Sequence, residues 1–400
     1  MLNIDDNRVA LTISPILRLA FRPLFLGGAL FSWLAIAWWS YFWTWPLNWQ
    51  PYGGALWWHG HEMIFGFGSA IIAGFLLTAV QTWTGVIGLR GAPLALLAGT
   101  WLLGRLLLAF DTGLPPLLIA IVDCSFLLFS ALAMAYPVIK VRQWKNLMFV
   151  PMLALMTLLN AESHYGALNH DPALAMRALH ATILLITLII AVVGGRVIPF
   201  FTANATDYTR KPNILLLDAI SLLSILTLLA MAAFGFSEVS SFSLTVAAGV
   251  AAVSNAWRFF RWGIQASWHS PLLWSLHLAY LFLPLGMLAL LLFSLDLVSL
   301  SIALHCFTVG AIGGMILAMI SRVTLGHTGR PIHVLPRAVP IAFVALFVAV
   351  LCRVLLTVIF PGESRSLIAA AGVFWLLAFG IYLFNYGPML VKVRADGRPG

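Results

Sequence analysis

The chain is 400 residues long, 62% apolar and only 9% charged, with a formal net charge of +9. Soluble globular chains carry roughly 25% charged residues, so a water-soluble domain is excluded. A nucleic-acid partner would need basic residues clustered on one face; here they stand singly between apolar runs, and the partner that the composition names is a lipid bilayer.

A membrane-spanning helix needs about 20 apolar residues, because 1.5 Å per residue must cross roughly 30 Å of hydrocarbon. The first apolar run follows Asp5, Asp6, Arg8, Arg18 and Arg22 and continues into the protein, so the first helix is read as its own insertion signal, with no cleavable leader. Residues 1–23 are then a cytoplasmic segment. Spans are predicted near 24–45, 61–82, 93–110, 115–137, 147–161, 174–195, 213–235, 240–259, 272–293, 299–320, 338–360 and 367–390, followed by a cytoplasmic tail at 391–400. The whole of 1–400 reads as one integral membrane domain, all-α and polytopic, with about twelve transmembrane helices.

The connections test this parse. Of the 22 basic residues, Arg177 and Arg365 fall on one side and Arg105 and Arg353 fall inside spans; all the others lie on the opposite side. By the positive-inside rule that basic side is cytoplasmic and carries both termini. The first external loop holds Trp43, Trp45, Trp49, Trp57 and Trp58 and no charge, as interface anchors would. The protein so described is a multi-pass integral membrane protein. Three cysteines, Cys124, Cys306 and Cys352, lie within apolar runs and imply no disulfide framework.

Three spans carry a histidine near their outer ends: His61 in the second, His180 in the sixth and His305 in the tenth. Their spacings, 119 and 125 residues, suggest three arcs of four helices with these spans facing one another at the centre. Comparable inner-end sequences follow, such as Arg196-Val-Ile-Pro-Phe-Phe-Thr202 and Arg322-Val-Thr-Leu-Gly-His-Thr328.

Charge inside hydrocarbon costs about 3 kcal/mol per group on insertion scales, so it needs a partner or a function. Arg105 in the third span and Asp123 in the fourth stand at similar depth across a short turn and can pair as a plain buried salt bridge. Alternatively, Arg105 and Arg353 hold the anionic groups of a cofactor such as haem propionates, which a guanidinium grips well. The inner half holds Asp218 and His277, the latter a further candidate cofactor contact.

Trp58-His59-Gly60-His61-Glu62 is the densest chemical cluster. Imidazole is the usual ligand for haem iron and copper, and a neighbouring Glu orients such a ring or moves protons. A lone histidine on an apolar helix is more often hydrogen-bonded structure than a ligand; four on three helices favour metal. His59 and His61 diverge by about 200° on a continuous helix and converge only if the helix starts between them, at Gly60. His59, His61, His180 and His305 form the predicted metal set, with Glu62 as proton carrier or ring partner. His164 and His170 read as surface residues of an external loop, and His327 and His333 as members of an inner loop that either binds an anion or is simply solvated. Cys306 reads as a small apolar residue. No phosphate-binding glycine loop, Cys-x-x-Cys-His attachment or Ser-His-Asp arrangement appears, so any haem is non-covalent.

These segments resemble the NnrS family over nearly the whole length. The likeness runs through Phe21-Arg-Pro-Leu-Phe25, Trp58 to Phe67, Gly74 to Gly85, Gly194 to Thr202, Pro271 through Trp274 to His277, His305 with Gly310 to Gly314, and Ser321 to Arg330. Members usually have Ala where Gly60 and Cys306 stand here. The resemblance implies a membrane protein containing haem (haem b) and copper, associated with nitric oxide metabolism and protection from nitrosative stress, drawing on an electron donor that the sequence does not name. A looser similarity, to haem-copper oxidases and nitric oxide reductases, rests on histidines on helices two, six and ten, without the paired histidines expected on the tenth helix and the seventh-to-eighth segment. A twelve-helix secondary transporter, which would repeat as two halves of six, and a scavenger or sensor without turnover are the rival classes.

Overall fold

The computed structural model describes residues 11–45 and 47–398. Asp5, Asp6 and Arg8, counted above in the orientation, lie outside them. The described chain forms twelve long helices: α1 Phe21–Thr44, α2 Ala55–Thr84, α3 Ala92–Ala109, α4 Pro116–Lys140, α5 Trp144–Leu168, α6 Pro172–Ala205, α7 Leu215–Phe234, α8 Ser241–Phe260, α9 Pro271–Ser294, α10 Leu300–His327, α11 Val339–Ile359 and α12 Ser364–Val391. Eleven are long and apolar enough to cross a membrane. The twelfth, α8, falls short because Ser241, Ser243, Thr245, Ser254, Asn255 and Arg258 dilute its apolar residues; it packs between α7 and α9 and keeps the alternation intact. The protein is a multi-pass helical membrane bundle.

Burial divides the helices into two classes. In the most apolar windows of α2, α6 and α10, 83%, 72% and 78% of residues are buried, against at most 56% in any other helix. The three histidine-bearing spans therefore form the centre, and the rest wrap around them. Side chains such as Leu215 (82% exposed) and Phe384 (83%) on the outer helices face outward, as lipid contact requires. Below the histidines the central helices meet along an aliphatic seam that includes Ile72, Ile189 and Ile316. Small residues permit the close approach: a methyl group added at Gly313 would lie 2.7 Å from the Trp375 ring, and one at Gly314 would lie 2.9 Å from the Ala279 Cβ.

α2 and α10 share a further device. Each widens into a π-helical stretch directly after its histidine, Glu62–Gly68 after His61 and Cys306–Gly313 after His305. Each stretch has a glycine five residues beyond the histidine, Gly66 and Gly310. A third π stretch, Leu351–Leu356, carries Arg353. Such widenings concentrate at functional positions, and here all three lie in the outer half.

Two sequence expectations need correction. α2 begins at Ala55, not near 61, so Trp57 and Trp58 are buried helix residues and not external-loop anchors, and His59 and His61 sit in one continuous helix and diverge. α5 runs on to Leu168, past the expected end at 161; Asn160, Glu162, Ser163 and His164 depress the hydropathy without ending the helix. His164 is therefore a buried helix residue, not a loop residue. His170 does lie exposed in the following turn, with φ 54°.

Both described ends lie on the face with the basic loops. Arg22 donates through Nη1 to the Leu390 and Lys392 carbonyls at 3.0 and 2.7 Å, tying α1 to the end of α12. Arg394 donates to the His327 carbonyl at 3.0 Å, and Ala395 N–H to that of Thr328, so the tail covers the inner loop where an anion was one expectation. Asp396 packs against Gly329, and the Arg394 guanidinium holds its carboxyl below the usual carboxylate range. Each charged hydrogen bond contributes about 1.5–3 kcal/mol. Arg22→Ala is expected to lower the thermal midpoint in detergent by several degrees and make the tail cleavable by protease; an unchanged melt with a protected tail would refute the clasp.

Candidate functional site

The four predicted metal histidines separate into two environments, because α2 presents His59 and His61 on opposite faces. The first is a cavity of about 320 Å³ between the central helices. His59 on α2, His180 on α6 and His305 on α10 line it, with Arg353 from α11, Trp39 from α1 and Trp375 from α12. At 1.5 Å per residue, these histidines lie about 6–12 Å below the outer ends of their helices. The other walls are aliphatic and aromatic, including Ile64, Phe67, Ile183 and Ile312, while Leu56 and Ser301 at the rim are exposed.

Each ring is held differently. His59 stacks on Trp39, with centroids 4.2 Å apart and planes within 13°. His180 lies over Phe236 at 6.4 Å. His305 Nδ1 donates to the Ser301 carbonyl at 2.7 Å, which fixes the tautomer and leaves Nε2 with a free electron pair. Arg353 Nη2 donates to Ser301 Oγ at 2.8 Å, so one residue steadies both the imidazole and the guanidinium.

The second environment is a charged cluster on the other face of α2, where no member is more than 4% exposed. His61 Nδ1 donates to Glu62 Oε1 at 2.9 Å, and its Nε2 lies 2.8 Å from Asn160 Oδ1 and 3.3 Å from Asp123 Oδ2. Arg105 bridges the two acids, donating to Glu62 Oε1 at 2.8 Å and contacting Asp123 Oδ1 through Nη2. Asn160 Nδ2 donates to Asp123 Oδ2 at 2.7 Å, and His164 Nε2 donates to the same oxygen at 3.2 Å. The Tyr52 hydroxyl closes the outer side at 3.0 Å from His164 Nδ1; burial raises its phenol above the ordinary value, so it stays protonated and can donate. Trp57 stacks on His61 at 4.3 Å. A methyl at Gly66 would fall 2.7 Å from Arg105 Nη1, and one at Gly104 3.0 Å from Asp123 Oδ1, so these glycines make room for the ion pairs.

The expected Arg105–Asp123 pair is present, and Glu62 joins it. Arg105 is consumed by these carboxylates and does not line the cavity, whereas Arg353 does. His277 lies near the inner end of α9, with Nε2 3.0 Å from Thr202 Oγ1, and belongs to neither environment. Asp218 pairs with Arg258 Nε at 2.7 Å on the inner side. Cys306 turns its thiol to the Phe282 carbonyl at 3.7 Å. Sequence reasoning missed Asn160, His164 and Tyr52. The first two were within reach, since positions i and i+4 share one helical face.

Among the described residues, only His61, Asp123 and His164 bring three ligand atoms of His, Cys, Asp or Glu within 4.8 Å of one another. The cavity histidines are spread more widely, around a space instead of a point.

A polytopic helical bundle with histidines gathered from its three central spans is the class that fold and site define. The chain belongs to the NnrS family: the family profile, described as NnrS protein, matches residues 15–394. Among curated proteins no relative matches the chain.

Removing one partner of a buried ion pair costs about 3–5 kcal/mol, because an uncompensated charge is left behind. Arg105→Met is expected to destabilise the protein by that order, and adding Asp123→Asn should recover part of the loss. A double-mutant cycle of unfolding in mixed micelles checks this; strictly additive losses would mean that the two side chains do not interact.

Proposed function

We propose that the protein is a haem- and copper-holding component of a bacterial inner membrane that binds nitric oxide and protects the cell from nitrosative stress. The observation that carries this reading is the shared cavity: imidazoles from α2, α6 and α10 and the Arg353 guanidinium surround one apolar space.

The donor set fits a large flat cofactor better than a bare ion. Its imidazoles do not converge within one ion's reach, as those of the charged cluster do. His305 would hold the iron through its Nε2 electron pair, because its other nitrogen is committed to the Ser301 carbonyl. Ile64, Ile183, Ile312 and Trp375 supply apolar walls, and Arg353, braced by Ser301, supplies the cation for a propionate. His180, on α6, is the second candidate ligand, and His59, stacked on Trp39, edges the same space. Haem iron bound there would supply a site for a neutral diatomic ligand and a route for one electron at a time.

The protein's own groups set the conditions around that site. Apolar walls exclude bulk water, and the membrane position admits a small uncharged molecule that partitions into hydrocarbon. Glu62, on the far side of α2, accepts from His61 Nδ1 and thereby orients that ring; its contacts favour this role over carrying protons to the cavity.

The test is an optical spectrum with metal analysis of the purified protein. His305→Ala and His180→Ala are expected to abolish or shift the Soret band, while His277→Ala leaves it unchanged. Arg353→Leu should weaken haem retention about tenfold to a hundredfold, the equivalent of one or two charge-assisted hydrogen bonds. A colourless, metal-free wild-type protein would overturn the reading in favour of a transporter. A full Soret band in both histidine variants would remove the cavity as the haem site.

A further inference from the structure

His61 has hydrogen-bond acceptors at both ring nitrogens. Nδ1 faces the Glu62 carboxylate, and Nε2 faces Asn160 Oδ1 and Asp123 Oδ2. Flipping the Asn160 amide does not relieve this, because its oxygen would then meet the Asp123 carboxylate, where its nitrogen now donates. A neutral imidazole carries one proton, which serves Nδ1. The other nitrogen needs a second cation, either a proton or a metal ion. Charge counting agrees. Glu62 and Asp123 carry two negative charges against one positive charge on Arg105, and a buried site with an excess charge draws in its complement.

Convergence of donors separates the two occupants. Tetrahedral ligation at about 2.0–2.2 Å puts neighbouring donor atoms about 3.3–3.6 Å apart. Asp123 Oδ2 lies 3.3 Å from His61 Nε2 and 3.2 Å from His164 Nε2, and all three atoms lie within 4.8 Å of one another. A proton on each Nε2 would also serve these two contacts, so what favours an ion is that donor atoms from three helices, α2, α4 and α5, close on one point. Each donor side chain is also braced from behind: His61 by Glu62, His164 by Tyr52, and Asp123 by Arg105. Ligating histidines are supported in this way by the group on their other nitrogen.

We infer that His61 Nε2, Asp123 Oδ2 and His164 Nε2 form a site for one late first-row transition-metal ion, copper or zinc, distinct from the cavity lined by His59, His180 and His305. Two imidazoles and one carboxylate suit these ions and not calcium or magnesium, which take oxygen donors. Asn160 Oδ1, directed at the same point, is the fourth donor or the group that yields its place to one. His164 then turns its single proton to Nδ1 and donates to the Tyr52 oxygen. This inference rests on the proposed function for copper beside haem, and does not depend on the haem cavity.

The experiment uses the full-length protein in detergent, stripped with a chelator and titrated separately with Cu²⁺ and Zn²⁺. Wild type is expected to bind one equivalent of at least one ion, and copper(II) electron paramagnetic resonance should show coupling to two imidazole nitrogens. His164→Ala and His61→Ala should lose that equivalent, and Glu62→Gln should weaken it about tenfold to a hundredfold. His305→Ala, the haem-cavity variant, should keep it. His164→Asn, with its melt and haem content compared with wild type, guards against loss through misfolding. Stripped wild type that binds neither ion, or bound metal that survives both histidine replacements, would overturn the site and leave the haem reading standing. Metal retained by the triad in a protein without haem would do the reverse.

Discussion

Two positions apart on an unbroken helix means about 200° apart around its axis. That single geometric fact organises the outer half of this protein. Because α2 starts at Ala55, His59 turns toward α6 and α10 while His61 turns toward α4 and α5. Fewer than two turns of helix, Trp57 to Glu62, thus form the wall between an apolar cavity and a charged cluster. The π stretch directly below changes the register again, so the aliphatic side chains of the seam need not follow the angular positions of the histidines above them.

Hydrocarbon leaves little freedom in how polar groups are arranged beside that wall. A lone Arg105 at this depth would be unaffordable, and so it lies between two carboxylates. The carboxylates in turn recruit Asn160, His61 and His164, and the last of these reaches the loop through Tyr52. The cavity follows the opposite rule. Its imidazoles have few protein partners, its walls are apolar, and its one cation is steadied by a serine. A network of paired charges beside an apolar space lined with imidazoles is a division of labour that two opposite faces of one helix can support.

Much of this was legible in the chain. Apolar run length and the one-sided placement of Arg and Lys gave twelve helices, and the recurrence of His61, His180 and His305 placed α2, α6 and α10 at the centre, as their burial bears out. The pairing of Arg105 with Asp123 followed from depth alone. What was hidden depended on where helices begin and end. Hydropathy cannot distinguish a polar helix end that is buried from one that frays into water, so α5 was ended too early and His164 was placed in a loop. The aromatic stretch before His61 reads as external loop but is helix from Ala55, and that start decides whether His59 and His61 share a site. The π stretches carry no hydropathy signal; those of α2 and α10 leave a trace in the glycine five residues after His61 and His305, and the one in α11 leaves none.

The cavity draws its walls from the first helix to the last: Trp39, His59, His180, His305, Arg353 and Trp375. The ribosome delivers these in order, and nearly the entire chain must leave it before the final wall arrives. While α10 to α12 are still being made, the imidazoles of α2 and α6 have no enclosure. Assembly of this centre is therefore a closing event in biogenesis, and a truncated product would be inserted, helical and empty.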